Sequence, residues 1–220
     1  MDSIVCNTIQ MRTLQEIAQL VFPERCLGCH KLSSIICTNC VEQWRVSEFK
    51  VKYSELTVRS AILYTPVAAK IILAAKENGI ANADKLLIQA IMGQLQPTTH
   101  NLQHIRLVPI PSSKRSSRSR GRSFMVDIVE QISYQMGIPM LDCLELTGKT
   151  TDQTGLNRQQ RLENMKGSMS MKAVARGELI LIDDVITTGA TLKEAARALN
   201  SQGFYAQISA ITACVAQPLR

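Results

Sequence analysis

With 220 residues, 45% of them hydrophobic, the chain has material for one full domain plus a small appendage around a sizeable core, which excludes disorder as its main state. Its formal net charge of +7 suits a polyanionic partner, whether nucleic acid, a membrane surface or a phosphate-rich small ligand, without choosing among them. No apolar run approaches the ~20 residues of a membrane-spanning helix, and Asp2, Arg12, Glu16, Glu24 and Arg25 break up any signal-peptide core, so a cytoplasmic protein without membrane insertion is expected.

In chain order, Ile9, Leu14, Ile17, Ala18, Leu20 and Val21 recur at roughly helical spacing and predict a short amphipathic helix within residues 8–22, stopped by Phe22-Pro23. Four cysteines follow as Cys26-x-x-Cys29 and Cys37-x-x-Cys40. In a reducing compartment disulfides are disfavoured, and two thiolate pairs at this spacing are what a tetrahedral structural Zn²⁺ requires. Gly28 loosens the first knuckle, and His30 is a substitute ligand that four cysteines make unnecessary. Reduced thiols or a redox pair are the competing reading. Cys6, Cys143 and Cys214 stand alone and read as core or incidental. A module over residues 1–50 and a larger domain over 51–220 are therefore expected.

Within the larger domain, Val58–Tyr64 predicts a strand, Val67–Lys76 a helix ended by Asn78-Gly79, and Asp84–Leu95 a second helix. Lys76 reads as a solvated lysine at a helix C-terminus. Ile105–Ile110 predicts a strand, followed by a Ser/Arg loop, a helix over Met125–Met136 and a strand over 139–146. The polar stretch 147–168, with Gly148, Gly155 and Gly167, has no period and reads as a long loop of the kind that is functional or disordered. Leu179–Ile182 predicts a buried strand, Thr191–Ser201 a helix with Leu192, Ala195, Ala196 and Leu199 on one face, and Gln207–Val215 a further strand. This alternation implies an α/β fold with a parallel sheet flanked by helices.

The chemistry concentrates in Leu179-Ile180-Leu181-Ile182-Asp183-Asp184-Val185-Ile186-Thr187-Thr188-Gly189-Ala190-Thr191-Leu192. Two adjacent carboxylates end an apolar strand, and a Thr/Gly turn opens a helix. Ligands of open parallel sheets bind at that end of the strands, and a helix N-terminus with hydroxyls and a glycine makes an anion cradle. The carboxylates suit the vicinal hydroxyls of a ribose, directly or through a hydrated metal ion. The bland alternative is a capped strand-to-helix turn with two solvated charges. Upstream, residues 106–122 hold six basic side chains and no acid, including Lys114, Arg115, Arg118, Arg120 and Arg122. That stretch suits a pyrophosphate, a nucleic-acid backbone, or solvent alone.

The segment from Leu179 to Leu192 resembles the 5-phosphoribosyl-1-pyrophosphate (PRPP) signature of type I phosphoribosyltransferases. Together with the four cysteines, Val108-Pro109-Ile110-Pro111, Arg120-Gly121, and Gln153-Thr154-Gly155-Leu156-Asn157-Arg158 with Arg161 and Asn164, it makes nearly the whole chain resemble the ComF family, phosphoribosyltransferase-like proteins associated with DNA uptake. The resemblance implies a type I phosphoribosyltransferase-like fold behind a Cys₄ zinc module, with structural Zn²⁺ on Cys26, Cys29, Cys37 and Cys40 and Mg²⁺ accompanying PRPP. Asp183 and Asp184 would contact the ribose hydroxyls, and Thr187, Thr188, Gly189, Ala190 and Thr191 the 5-phosphate. Ser112, Ser113, Lys114, Arg115 and Arg120 are candidates for the pyrophosphate, and Gln153, Gly155, Arg158 and Arg161 for a hood within 147–168. Lys76 also matches a lysine of the family, although the solvated helix end is the reading preferred here; many members follow Arg-Gly with Phe-Asn-Gln, where this chain has Arg122-Ser123-Phe124. The implied activity is phosphoribosyl transfer between pyrophosphate and a nucleobase-like acceptor. The alternative is a non-catalytic PRPP sensor or accessory protein that binds single-stranded DNA or competence proteins. The acceptor and the oligomeric state are not legible in the residues.

Overall fold

A computed structural model describes residues 24–53, 55–95, 104–148, 165–201 and 207–216. The predicted helix within 8–22, Cys6 and the hood residues Gln153, Gly155, Arg158 and Arg161 lie outside the described residues. The elements are α1 (Thr38–Val41), β1 (Phe49–Tyr53), β2 (Leu56–Leu63), α2 (Pro66–Lys76), α3 (Ala81–Leu95), β3 (Ile105–Pro109), α4 (Lys114–Arg120), α5 (Phe124–Met136), β4 (Leu144–Leu146), β5 (Met169–Met171), β6 (Glu178–Ile186), α6 (Ala190–Asn200) and β7 (Ile208–Val215).

One five-stranded sheet runs β1-β2-β7-β6-β3, with β2, β7, β6 and β3 parallel and β1 antiparallel at the edge. The fold is thus α/β as expected, with a mostly parallel sheet. β6 runs inside the sheet between β7 and β3, and its Leu179, Ile180, Leu181 and Ile182 are all fully buried. Alternation along the strand sends them to opposite faces. Ile180 and Ile182 pack with Ile71, Leu87 and Ile128 of α2, α3 and α5, whereas Leu179 and Leu181 pack with Leu192 and Leu199 of α6. Burying each such side chain contributes about 1.5–3 kcal/mol, so continuous apolarity on a strand covered on both sides outweighs any helix propensity of its leucines.

Several elements differ from expectation. The Ser/Arg stretch is helix α4 rather than a loop: the Ser113 hydroxyl accepts from the Ser116 N–H at 3.1 Å, and Gly121 ends the helix in the left-handed conformation at φ +69°. A basic face with no apolar stripe concealed it. The strand expected over 139–146 shrinks to β4, preceded by a single bridge between Leu107 and Met140. β1 and β5 were not expected, being short and half-exposed. β5 pairs antiparallel with β4, so the chain beyond the long polar stretch is anchored on a two-stranded ribbon.

That ribbon is clamped to α6 by Glu194. Its carboxylate, 4% exposed, accepts from the Met169 N–H at 3.1 Å and from Arg197 Nε and Nη2 at 2.8 and 2.7 Å. Burial acts to raise the Glu194 pKa, but the Arg197 guanidinium and the Met169 N–H outweigh it and hold the carboxyl below its ordinary 4.5. A depressed folded pKa means stability present in full above 4.5 and lost as pH falls through the folded value. Glu194→Gln is therefore expected to cost about 1–2 kcal/mol at neutral pH, modest because Arg197 can turn to water, with the gap to the parent closing in acid. Urea denaturation across that pH range measures it, and a gap independent of pH refutes the assignment.

Candidate functional site

β3 leaves the sheet at Pro111, one residue after the Ile110 N–H bonds to the Ile182 carbonyl at 3.0 Å. β6 continues past it, paired only with β7 on its other side, Asp183 opposite Thr212 and Val185 opposite Cys214. The two carboxylates therefore sit on β6 where its β3 flank is uncovered. A cleft of about 840 Å³ opens there, at the C-terminal ends of the parallel strands. Asp183, Asp184 and Thr191 form one wall, Ser112, Ser113, Arg115 and Arg120 another, and Lys76 enters from the end of α2.

The carboxylates are held by their own backbone and by one lysine. Asp183 Oδ1 accepts from the Asp184 N–H at 2.9 Å, and Asp184 Oδ1 from the Val185 N–H at 2.9 Å. Asp184 Oδ2 accepts from Lys76 Nζ at 2.5 Å. Enclosure by protein, then the neighbouring Asp184 charge, push the Asp183 pKa well above the usual carboxylate range, with Lys76 opposing them in part. Burial acts to lower the pKa of Lys76, but Asp184 more than reverses it and keeps the ammonium charged. Lys76 is thus part of the site and not the solvated helix end expected of it. Its partner lies 108 residues away, so local spacing does not reveal the pair.

Of the pyrophosphate candidates, Ser112, Ser113, Arg115 and Arg120 line the cleft, while the side chain of Lys114 lies outside the described set. Arg120 is nearly buried, pairing with Glu77 at 3.4 Å and donating from Nε to the Ser116 carbonyl at 3.0 Å. Arg122 turns away from the cleft. It forks onto Asp84 at 2.8 and 3.2 Å, lies 3.4 Å from Asp127, and its guanidinium sits 5.1 Å from the Phe124 ring centroid. Phe124 itself is fully buried, so Arg122-Ser123-Phe124 joins α5 to α3. Thr191 faces the cleft, whereas Thr187, Thr188 and Ala190 form the turn and the first residue of α6. Gly189 has φ +71°, and a Cβ there would lie 3.2 Å from the Tyr53 ring, so both backbone and space demand glycine.

The second site is the cysteine cluster. Cys26, Cys29, Cys37 and Cys40 bring their sulfurs within 4.8 Å of one another, with Cys29 and Cys37 at 3.7 Å. Tetrahedral Zn–S bonds of ~2.3 Å place sulfurs about 3.8 Å apart, so the donor set fits a structural Zn²⁺. Burial acts to raise Cys26, but the Cys37, Cys29 and Gly28 N–H groups directed at its sulfur bring it down to about 6. Burial and the crowding of Cys37, Cys26 and Cys29 push Cys40 up to about 12. The first sulfur is prepared as a thiolate, and the last is costly to ionise without a cation. Gly28 is needed for space: a Cβ would lie 2.8 Å from Cys40 Sγ and 2.9 Å from Val67 of α2. His30 is exposed in the knuckle at φ +61° and stands outside the cluster. Trp44 is 5% exposed and packs into the main core beside Cys26 and Cys40.

No family model matches the chain. It is similar to Competence protein F of Haemophilus influenzae, 33% identical over 103 residues, which is 44% of this chain and 44% of that protein. It is also similar to Competence protein ComFC of Bacillus subtilis, 29% identical over 195 residues, 85% of this chain and 76% of the relative. The first match thus spans less than half of its relative's length. A four-cysteine cluster beside a mostly parallel α/β domain, together with similarity to two competence proteins named F and ComFC, supports membership of the ComF family.

Proposed function

We propose that the chain binds PRPP in the cleft beside Asp183 and Asp184 and transfers its phosphoribosyl group between pyrophosphate and a nitrogenous base, as part of competence. The observation that carries this reading is the uncovered carboxylate pair of β6 facing the serines and Arg115 across one cleft. Ribose hydroxyls and a pyrophosphate, which a single ligand displays together, call for those opposite chemistries within one cleft. In this reading Asp183 and Asp184 accept from the ribose 2′- and 3′-hydroxyls. The turn from Thr187 to Thr191 and the first N–H groups of α6 hold the 5-phosphate. Ser112, Ser113 and Arg115 receive the pyrophosphate. The hard oxygen donors of Asp183 and Asp184 fit Mg²⁺, which when bound neutralises the leaving pyrophosphate. The chain's own task is to align C1′, hold both phosphate ends and exclude water from the oxocarbenium-like state. The hood of this reading is the stretch 147–168, with Gln153, Gly155, Arg158 and Arg161, whose task would be to exclude water from the site. Residues 1–50 form the zinc module in this reading and 51–220 the transferase-like domain.

A DNA-binding accessory role draws less support. Arg120 and Arg122 are committed to Glu77, Asp84 and Asp127, and Trp44 is buried, which leaves Arg115 and Arg118 as the exposed cations of α4 among the described side chains. Calorimetric titration with PRPP, with and without Mg²⁺, followed by assay of pyrophosphate release with candidate bases, tests the proposal. Magnesium-dependent binding with release supports transfer, binding without release reduces the function to a sensor, and no binding overturns the reading.

A further inference from the structure

Lys76 stands where a ligand of Asp184 must attach. The Asp184 side chain is 9% exposed and that of Lys76 is 33%, so the pair meets at the floor of the cleft with the ammonium on the open side. One Asp184 oxygen is taken by the Val185 N–H, and the other by Lys76. Each oxygen keeps a second lone pair, but with the carboxylate nearly enclosed and the ammonium on the open side, a hydroxyl or a hydrated cation approaching it from the cleft meets Lys76 first. Besides Asp184, Lys76 is attracted by the Asp183 charge and lies 6.0 Å from the Phe124 ring centroid, while Arg120 is a like charge close enough to repel it.

We propose that Lys76 is an exchangeable counter-ion that neutralises Asp184 in the empty site, excludes free divalent cations from it, and passes to the pyrophosphate of an incoming ligand. The reading rests on the PRPP assignment for its second half and on geometry alone for its first. With the lysine in place, a bare divalent cation meets a carboxylate pair already carrying one positive charge and must strand an ammonium to bind. A cation arriving with a pyrophosphorylated sugar brings the anion that the displaced ammonium needs. The residue thereby couples cation binding to pyrophosphate binding, acting as a positioning and specificity residue rather than at the reacting carbon. A partly exposed lysine at a helix end tolerates substitution, so the exchange can be tested without loss of fold.

The experiment uses the full chain and its Lys76→Met and Lys76→Arg variants, each checked by thermal melting. Free Mn²⁺ binding is read from the electron paramagnetic resonance of the unbound ion, and PRPP and ribose 5-phosphate binding with Mg²⁺ by calorimetry. Lys76→Met is expected to tighten Mn²⁺ binding about tenfold or more and to weaken PRPP by a similar factor, leaving ribose 5-phosphate unchanged or tighter; Lys76→Arg restores cation exclusion. Unchanged Mn²⁺ affinity in Lys76→Met overturns the counter-ion. Equal weakening of PRPP and ribose 5-phosphate overturns the exchange. If Lys76→Met binds Mn²⁺ more tightly while no variant binds PRPP, the counter-ion stands and the PRPP assignment fails.

Discussion

Replacing Asp183 and Asp184 together by asparagine is expected to lower PRPP affinity at least about a hundredfold while the protein stays folded. Each carboxylate offers a ribose hydroxyl a charge-assisted hydrogen bond contributing about 1.5–3 kcal/mol, and two of them cover a hundredfold or more. The fold should survive because asparagine at either position can still accept from the Asp184 and Val185 N–H groups, and because charged Asp183 does not stabilise it. The Asp183 pKa is raised by burial and by its neighbour above the ordinary 3.8, and a raised folded pKa means a contribution present below that ordinary value and lost as pH rises through the folded one. Asp183→Asn alone should therefore melt at or above the parent temperature at neutral pH, the difference vanishing in acid. Lys76 loses its partner in the double variant but is exposed enough to be taken up by water. A double variant that binds PRPP like the parent would remove these residues from the site, and one that unfolds would assign them to the fold.

Removal of metal from the cysteine cluster should have the largest effect on stability. The purified chain is expected to carry about one zinc, and Cys40→Ser to lose it at a cost on the order of 5–10 kcal/mol to the module, since metal-binding energy there is folding energy. The module has few other means of support. Its apolar anchors are the buried Cys26, Cys40 and Trp44, packed against α2 through Val67, and the Thr65 hydroxyl at the start of α2 donates to the Gln43 carbonyl at 3.3 Å. Trp44 is the chain's one tryptophan, so its emission reports the event directly. Chelation should shift it to the red as the ring enters water, with zinc restoring the parent spectrum. A metal-free protein with unchanged emission would show that packing alone holds the module.

The loss should also reach the cleft, because α2 bears the module at Val67 and carries Lys76 at its far end. Only the folded molecule reveals that continuity. The sequence displayed Cys26 to Cys40 as a candidate metal set and Asp183 to Thr191 as a candidate ligand turn because each is contiguous, and its chemistry is written in spacing. β6 and α6 were legible for the same reason: an unbroken apolar run and a 3.6-residue stripe are local patterns that burial on a sheet enforces. The edge strand β1 and the ribbon strand β5 were not, since short half-exposed segments take their conformation from a partner strand.

The basic segment shows most plainly where local reading ends. As sequence it is an undivided run of cations. In the fold Arg122 is bound to α3 and α5, Arg120 to Glu77, and Arg115 alone of the arginines lines the cleft without an ion pair among the described residues. Charge is a property of composition, but whether a charge is available depends on what lies within about 4 Å of it. The sequence by itself determined the fold class, the four sulfurs and the carboxylate pair. Tertiary structure decided which cations serve the site, because Lys76 and Asp184, like Arg122 and Asp84, are neighbours only after the sheet has brought distant segments together.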